Sequence, residues 1–100
     1  MPAAKPKARE GITMVELDGE AVLYDDEGGD LHHLNRTATL VFGLCDGTGT
    51  AKELSIDLSQ VFGVPVAEVE PQVRRLIREF RKAGLLEPGA NGKRTATRER

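Results

Sequence analysis

The chain has 100 residues, of which 39% are hydrophobic and 30% charged, with a formal net charge of −2. That length allows one small domain with a single modest core, and the balance is that of a globular chain, not a disordered one. One cysteine excludes an intramolecular disulfide and a multi-thiolate zinc site. No apolar run has the length of a membrane span or of a signal peptide's hydrophobic segment, so the expected location is cytoplasmic.

Residues 1–10 hold Pro, Ala and Lys without periodicity and read as a flexible tail. ITMVEL and EAVLYD flank Asp18-Gly19, a pair that readily takes the positive φ angles of a tight hairpin turn, so two strands are expected here. DEGGD is a second turn, and LHHL after Asp30 is a short third strand. Together these make a small antiparallel meander.

Asn35 is a good helix cap, and Ala38, Val41, Phe42 and Cys45 recur at spacings that give one buried helical stripe. Asp46-Gly47 ends that helix. Thr50-Ala-Lys-Glu53 is a capping box opening a second helix, whose apolar positions are Leu54, Ile56, Leu58, Val61 and Phe62 and whose stop is Gly63. Pro71 sets the expected start of the third helix between Glu68 and Pro71, because proline is tolerated in the first turn. Val69, Val73, Leu76, Ile77 and Phe80 form its core stripe, Gly84 stops it, and Leu85-Leu86 fold back. Residues 88–100 read as a second flexible tail, leaving one folded domain over 11–87. Three strands followed by three helices imply an α+β fold with the helices on one face of the sheet.

Charge is uneven along this order. From Glu16 to Asp30 there are seven acids and no Lys or Arg; from Arg74 to Lys82 there are five bases against Glu79. On a helix Arg74, Arg78 and Arg81 share a flank next to Ile77, suited to a solvated face, to phosphates, or to carboxylates of a peptide.

Chemistry-bearing residues are few. His32 and His33 are adjacent in a strand and point to opposite faces, so they cannot chelate one ion, and ordinary strand residues are the better reading. Cys45 lies on an apolar stripe beside Asp46, which disfavours a thiolate. GTGT lacks the Lys-Ser/Thr that a phosphate loop requires. Neither catalysis nor a cofactor or metal is expected.

The stretch LHHLNRTATLVFGLCDGTGTAKEL resembles the PqqD family motif, in which a strand ending Leu-Asn enters a helix closed by Asp-Gly, and Thr-x-x-Glu-Leu opens the next. The likeness continues through Phe62-Gly63-Val64 to Arg-Lys-Ala-Gly-Leu-Leu at residues 81–86 and spans about 11–87. It implies a winged-helix-like domain that recognises ribosomally synthesised, post-translationally modified peptides. Such a protein is not an enzyme: it binds the leader of a precursor peptide by strand addition and presents it to a modifying enzyme. That enzyme could be a radical SAM enzyme, a cyclase or a leader peptidase. By that resemblance the leader joins the third strand beside the third helix. The expected peptide-binding residues are Asp30, Leu31, His32, His33 and Leu34 on the strand, with Val73, Arg74, Ile77, Arg78 and Arg81 on the helix. A short free edge suits such β-augmentation. The competing reading is a DNA-binding winged helix that uses the third helix for recognition. Its acidic strands, and the absence of a wing hairpin after that helix, weigh against it.

Overall fold

The computed structural model describes residues 5–87; residues 1–4 of the tail expected over 1–10, and all of the tail expected over 88–100, lie outside the described residues. Strands β1 (Ile12–Leu17), β2 (Glu20–Asp25) and β3 (Leu31–Leu34) form an antiparallel sheet in the order β1-β2-β3. Helices α1 (Arg36–Leu44), α2 (Ala51–Phe62) and α3 (Val66–Lys82) follow, completing the α+β order read from the sequence.

Local chemistry accounts for most boundaries. Asp18 and Gly19 have φ of 57° and 82°, the conformation of a two-residue hairpin turn whose twist matches its strands. The Asn35 side chain accepts from the Ala38 N–H and starts α1. Thr50 Oγ1 accepts from the Glu53 N–H while Glu53 Oε1 accepts from the Thr50 N–H, so the capping box closes in both directions. Gly63 ends α2 with φ of 70°.

One face of the sheet carries the core. Ala21, Leu23 and Leu34 turn inward and meet Ala38, Val41 and Phe42 of α1, Leu54 and Leu58 of α2, and Val69, Val73, Ile77 and Phe80 of α3. Phe42 and Phe80 pack edge to face with centroids 5.3 Å apart, locking α1 against α3. Leu85 and Leu86 return beneath them and are buried.

One expectation is corrected: α3 begins at Val66 after Pro65, not between Glu68 and Pro71, so Pro71 sits inside the helix. Pro71 removes one N–H that would have bonded the carbonyl of Ala67, but both residues are exposed, so water takes that acceptor. Of the apolar positions of α2, Ile56, Val61 and Phe62 are exposed, and the inward residues are Leu54, Ser55 and Leu58.

Order also extends towards the N-terminus, past the boundary at residue 11. The Ala8 N–H bonds the Cys45 carbonyl, the Arg9 N–H bonds that of Leu85, and the Glu87 N–H bonds that of Lys7. Residues 6–9 thus tie the α1–α2 loop to the end of the described chain. The Arg9 guanidinium lies 2.9 Å from Asp25 Oδ2 and its Nε donates to the Gly84 carbonyl, fastening this strap to the sheet. The Arg9 hydrogen bond to the Asp25 carboxylate, helped by the Gly28 and Glu27 N–H groups, holds the Asp25 carboxyl below its usual range.

Two outcomes follow for stability. Leu23 is fully buried, so Leu23→Ala is expected to cost about 3 kcal/mol in urea unfolding. Arg9→Ala is expected to lower the urea midpoint at neutral pH. A carboxyl with a lowered folded-state pKa stabilises above its ordinary pKa, and loses that contribution as pH falls through the lowered value. The difference between the parent and Arg9→Ala chains should therefore narrow towards about pH 2, below the usual carboxylate pKa.

Candidate functional site

Among the described residues β3 is bonded on one edge only. Its register with β2 pairs Ala21 with Leu34, Val22 with His33, Leu23 with His32 and Tyr24 with Leu31. The Asp25 N–H bonds the Asp30 carbonyl at 2.9 Å, which fixes the phase of the ladder. Antiparallel pairs alternate between bonded and non-bonded, so His32 and Leu34 exchange bonds with β2. The N–H and C=O groups of Leu31 and His33 point to the other edge, where no strand among the described residues pairs with them. Asp30 itself closes the turn into the strand.

Side chains alternate in the same way. His32, half-buried, and Leu34, buried, share the core face with Leu23 and Ala21. Leu31, 69% exposed, and His33 lie on the outer face. There His33 Nε2 is 3.3 Å from Glu20 Oε1 of the facing strand. The two histidines are thus split between faces. Among the described residues no three His, Cys, Asp or Glu side chains gather as a metal site. Val15, Leu17, Val22 and Tyr24 extend the outer face as exposed apolar residues.

Beside the free edge runs a groove of about 470 Å³. Leu31 to Asn35 form one wall, and Leu76, Glu79, Phe80 and Ala83 of α3 form the other, with Ala38 and Leu85 between. All the strand residues expected at the site except Asp30 therefore line it. The helix residues expected there do not. Val73 and Ile77 are buried in the core. Arg74, Arg78 and Arg81, with Ile77, border a separate cavity near the start of α2. The reason is rotational: α3 has one core stripe and two flanks, and β3 packs along the flank opposite the arginines. The wall on α3 was missed, although Leu76, Phe80 and Ala83 recur at helical spacing and could have been read as a flank of the stripe.

The family comparison meets this geometry. The model of the family described as coenzyme PQQ synthesis protein D (PqqD) matches residues 20–86, from β2 through Leu86. The chain belongs to the PqqD family. Among solved structures, this PqqD-family chain is similar to "TbiB1 in Complex with the TbiA(beta) Leader Peptide". The TM-score is 0.72 at 21% identity, covering 81% of this chain and 94% of that one. It is also similar to "Lasso peptide synthetase B1 complexed with the leader peptide", with a TM-score of 0.72 at 21% identity over 84% and 99% of the two chains. At that identity the likeness is one of fold. No curated protein matches the sequence. No helix of the described residues is long and apolar enough to cross a membrane.

Cys45 packs behind the site. Its Sγ donates to the Val41 carbonyl, and burial pushes the thiol up to about 12, with Asp46 adding to the rise and Arg81 opposing it. A buried thiol held neutral is a poor nucleophile. Iodoacetamide at mildly alkaline pH is therefore expected to label Cys45 only as fast as the chain opens. Labelling of the folded protein at the rate of a free thiol would contradict that placement.

Proposed function

We propose that this PqqD-family chain is a non-catalytic recognition protein in the cytoplasm, binding the leader of a ribosomally made precursor peptide and delivering it to a modifying enzyme. The observation that carries the reading is the unpaired edge of β3 bordered by a groove against α3. An extended peptide adding there satisfies the outward N–H and C=O groups of Leu31 and His33, which the chain's own sheet leaves open. Alternate side chains of the added strand then fall towards the groove, whose helical wall presents Leu76, Phe80 and Ala83 with Glu79 as its one charged residue. Backbone bonds supply affinity without reading sequence, and the groove supplies selection by shape.

Three observations support the reading. Two solved structures similar in fold carry leader peptides by their descriptions. The family match begins at β2 and includes the whole of β3 and α3. The candidate chemical groups are poorly disposed for catalysis, since Cys45 is buried and the histidines are split between faces. The enzyme served is of the class that modifies such peptides: a radical SAM enzyme, a cyclase or a leader peptidase.

The edge can be tested by removing a single donor. His33→Pro deletes an N–H that points away from β2, and proline is tolerated on an edge strand when its missing donor faces outward. The variant is expected to keep its melting transition and to lose about tenfold or more in affinity for the leader of the precursor encoded beside it. That corresponds to one backbone hydrogen bond plus imperfect seating. Calorimetric titration reads the change. A folded His33→Pro chain that binds the leader as tightly as the parent would rule out strand addition at this edge.

A further inference from the structure

Half a turn around α3 from the groove lies a second cavity of about 250 Å³, between the helix and the start of α2. Lys52, Arg74, Arg78 and Arg81 converge on it, with Pro6 and Ile77 supplying apolar lining. Arg75 and Lys82 carry the positive charge further around the helix, where they share an open hollow with Arg78, Arg81 and the single acid Glu79. Little within the chain neutralises this concentration. Arg74 pairs with Glu70 at 2.6 Å and Arg75 approaches Glu79 at 4.0 Å. Among the described residues no carboxylate lies within 4.0 Å of Lys52, Arg78, Arg81 or Lys82. Like charges held together repel one another, in a chain whose net charge is −2 and whose stretch from Glu16 to Asp30 holds seven acids and no Lys or Arg.

We infer that this cavity receives acidic side chains of the modifying enzyme, so that leader and enzyme dock on opposite flanks of α3. The inference rests on the leader-binding reading, because it assigns the groove to the peptide and leaves the basic flank to a second partner. Position supports the division. A leader seated against Leu76 and Phe80 would have to cross the outer side of the helix, about 10 Å across, to reach Arg78 and Arg81. Chemistry supports the occupant. Guanidinium groups bind carboxylates through paired, charge-assisted hydrogen bonds, and the apolar lining from Pro6 and Ile77 suits the methylenes of glutamate side chains. A cavity of this size admits two or three such side chains. A nucleic acid backbone calls for a longer positive track.

The test uses the full chain carrying Arg78→Glu and Arg81→Glu together, with Arg78→Gln and Arg81→Gln as the milder pair. Both positions are exposed, so the fold is expected to survive. The probes are the labelled leader and the biosynthetic enzyme encoded next to this chain's gene, measured by anisotropy and biolayer interferometry respectively. The parent should bind the enzyme in a salt-sensitive way. The Glu pair should weaken that binding by about tenfold or more, the Gln pair by less, and both should bind leader within about twofold of the parent. Enzyme binding that is absent in the parent, or unchanged in the Glu pair, would overturn the inference. A fall in leader affinity to match would assign the flank to the peptide instead. Self-association or duplex DNA binding abolished by the Glu pair, with enzyme binding intact, would assign it to a second copy or to nucleic acid. Failure of the parent to bind leader at all would instead sink the underlying reading, and is seen in the anisotropy arm alone.

Discussion

The binding face depends on one constraint: β3 is held firmly on one edge and by one face, and on nothing else. Its bonded residues His32 and Leu34 are the same two whose side chains turn towards the core. Ladder and burial therefore fix one register together, because a slip by one residue would turn Leu34 to solvent and Leu31 inward. Leu31 and His33 are left with both their backbone groups and their side chains outward. A four-residue strand so anchored keeps its free edge straight and accessible without relying on an added partner for its own folding.

The groove follows from how the helices are fastened. Phe80 is held edge to face by Phe42, and Leu85 returns beneath it, so the wall facing β3 is a rigid part of the core. The strap of residues 6–9 reinforces this from behind, joining the loop before α2 to the turn after α3 through Arg9 and its neighbours. A preorganised site of this kind spends little binding energy on ordering itself. The two partners proposed for α3 would then share one stiff element, with the peptide on one flank and the enzyme on the other.

Local structure was readable where a short-range rule is decisive. The Asp18-Gly19 turn, the Asn35 cap, the Thr50–Glu53 box and the Gly63 stop each depend on a few adjacent residues, and all stand where the sequence puts them. The start of α3 was misplaced because the preference of proline for the first turn is a tendency, and at Pro71 solvent exposure offsets the lost bond. Hydrophobic spacing alone does not show that α2 packs on a narrow face, with Leu54, Ser55 and Leu58 inward and Ile56, Val61 and Phe62 exposed. The site divided along the same line. The strand residues followed from β3 being the last strand of a meander. Which flank of α3 meets β3 is set by tertiary packing, and a stripe of Val73, Ile77 and Phe80 is equally compatible with either side. The arginines were therefore drawn to the groove by their charge, while Leu76 and Ala83 were overlooked.

Amide hydrogen exchange reads the free edge of β3 residue by residue. In the free protein the N–H groups of His32 and Leu34 should be protected and those of Leu31 and His33 should exchange quickly. On adding leader peptide, Leu31 and His33 should become protected while His32 and Leu34 change little. Leader binding that leaves the Leu31 and His33 amides exchanging as before would contradict the account, because the peptide would then be held somewhere other than along β3.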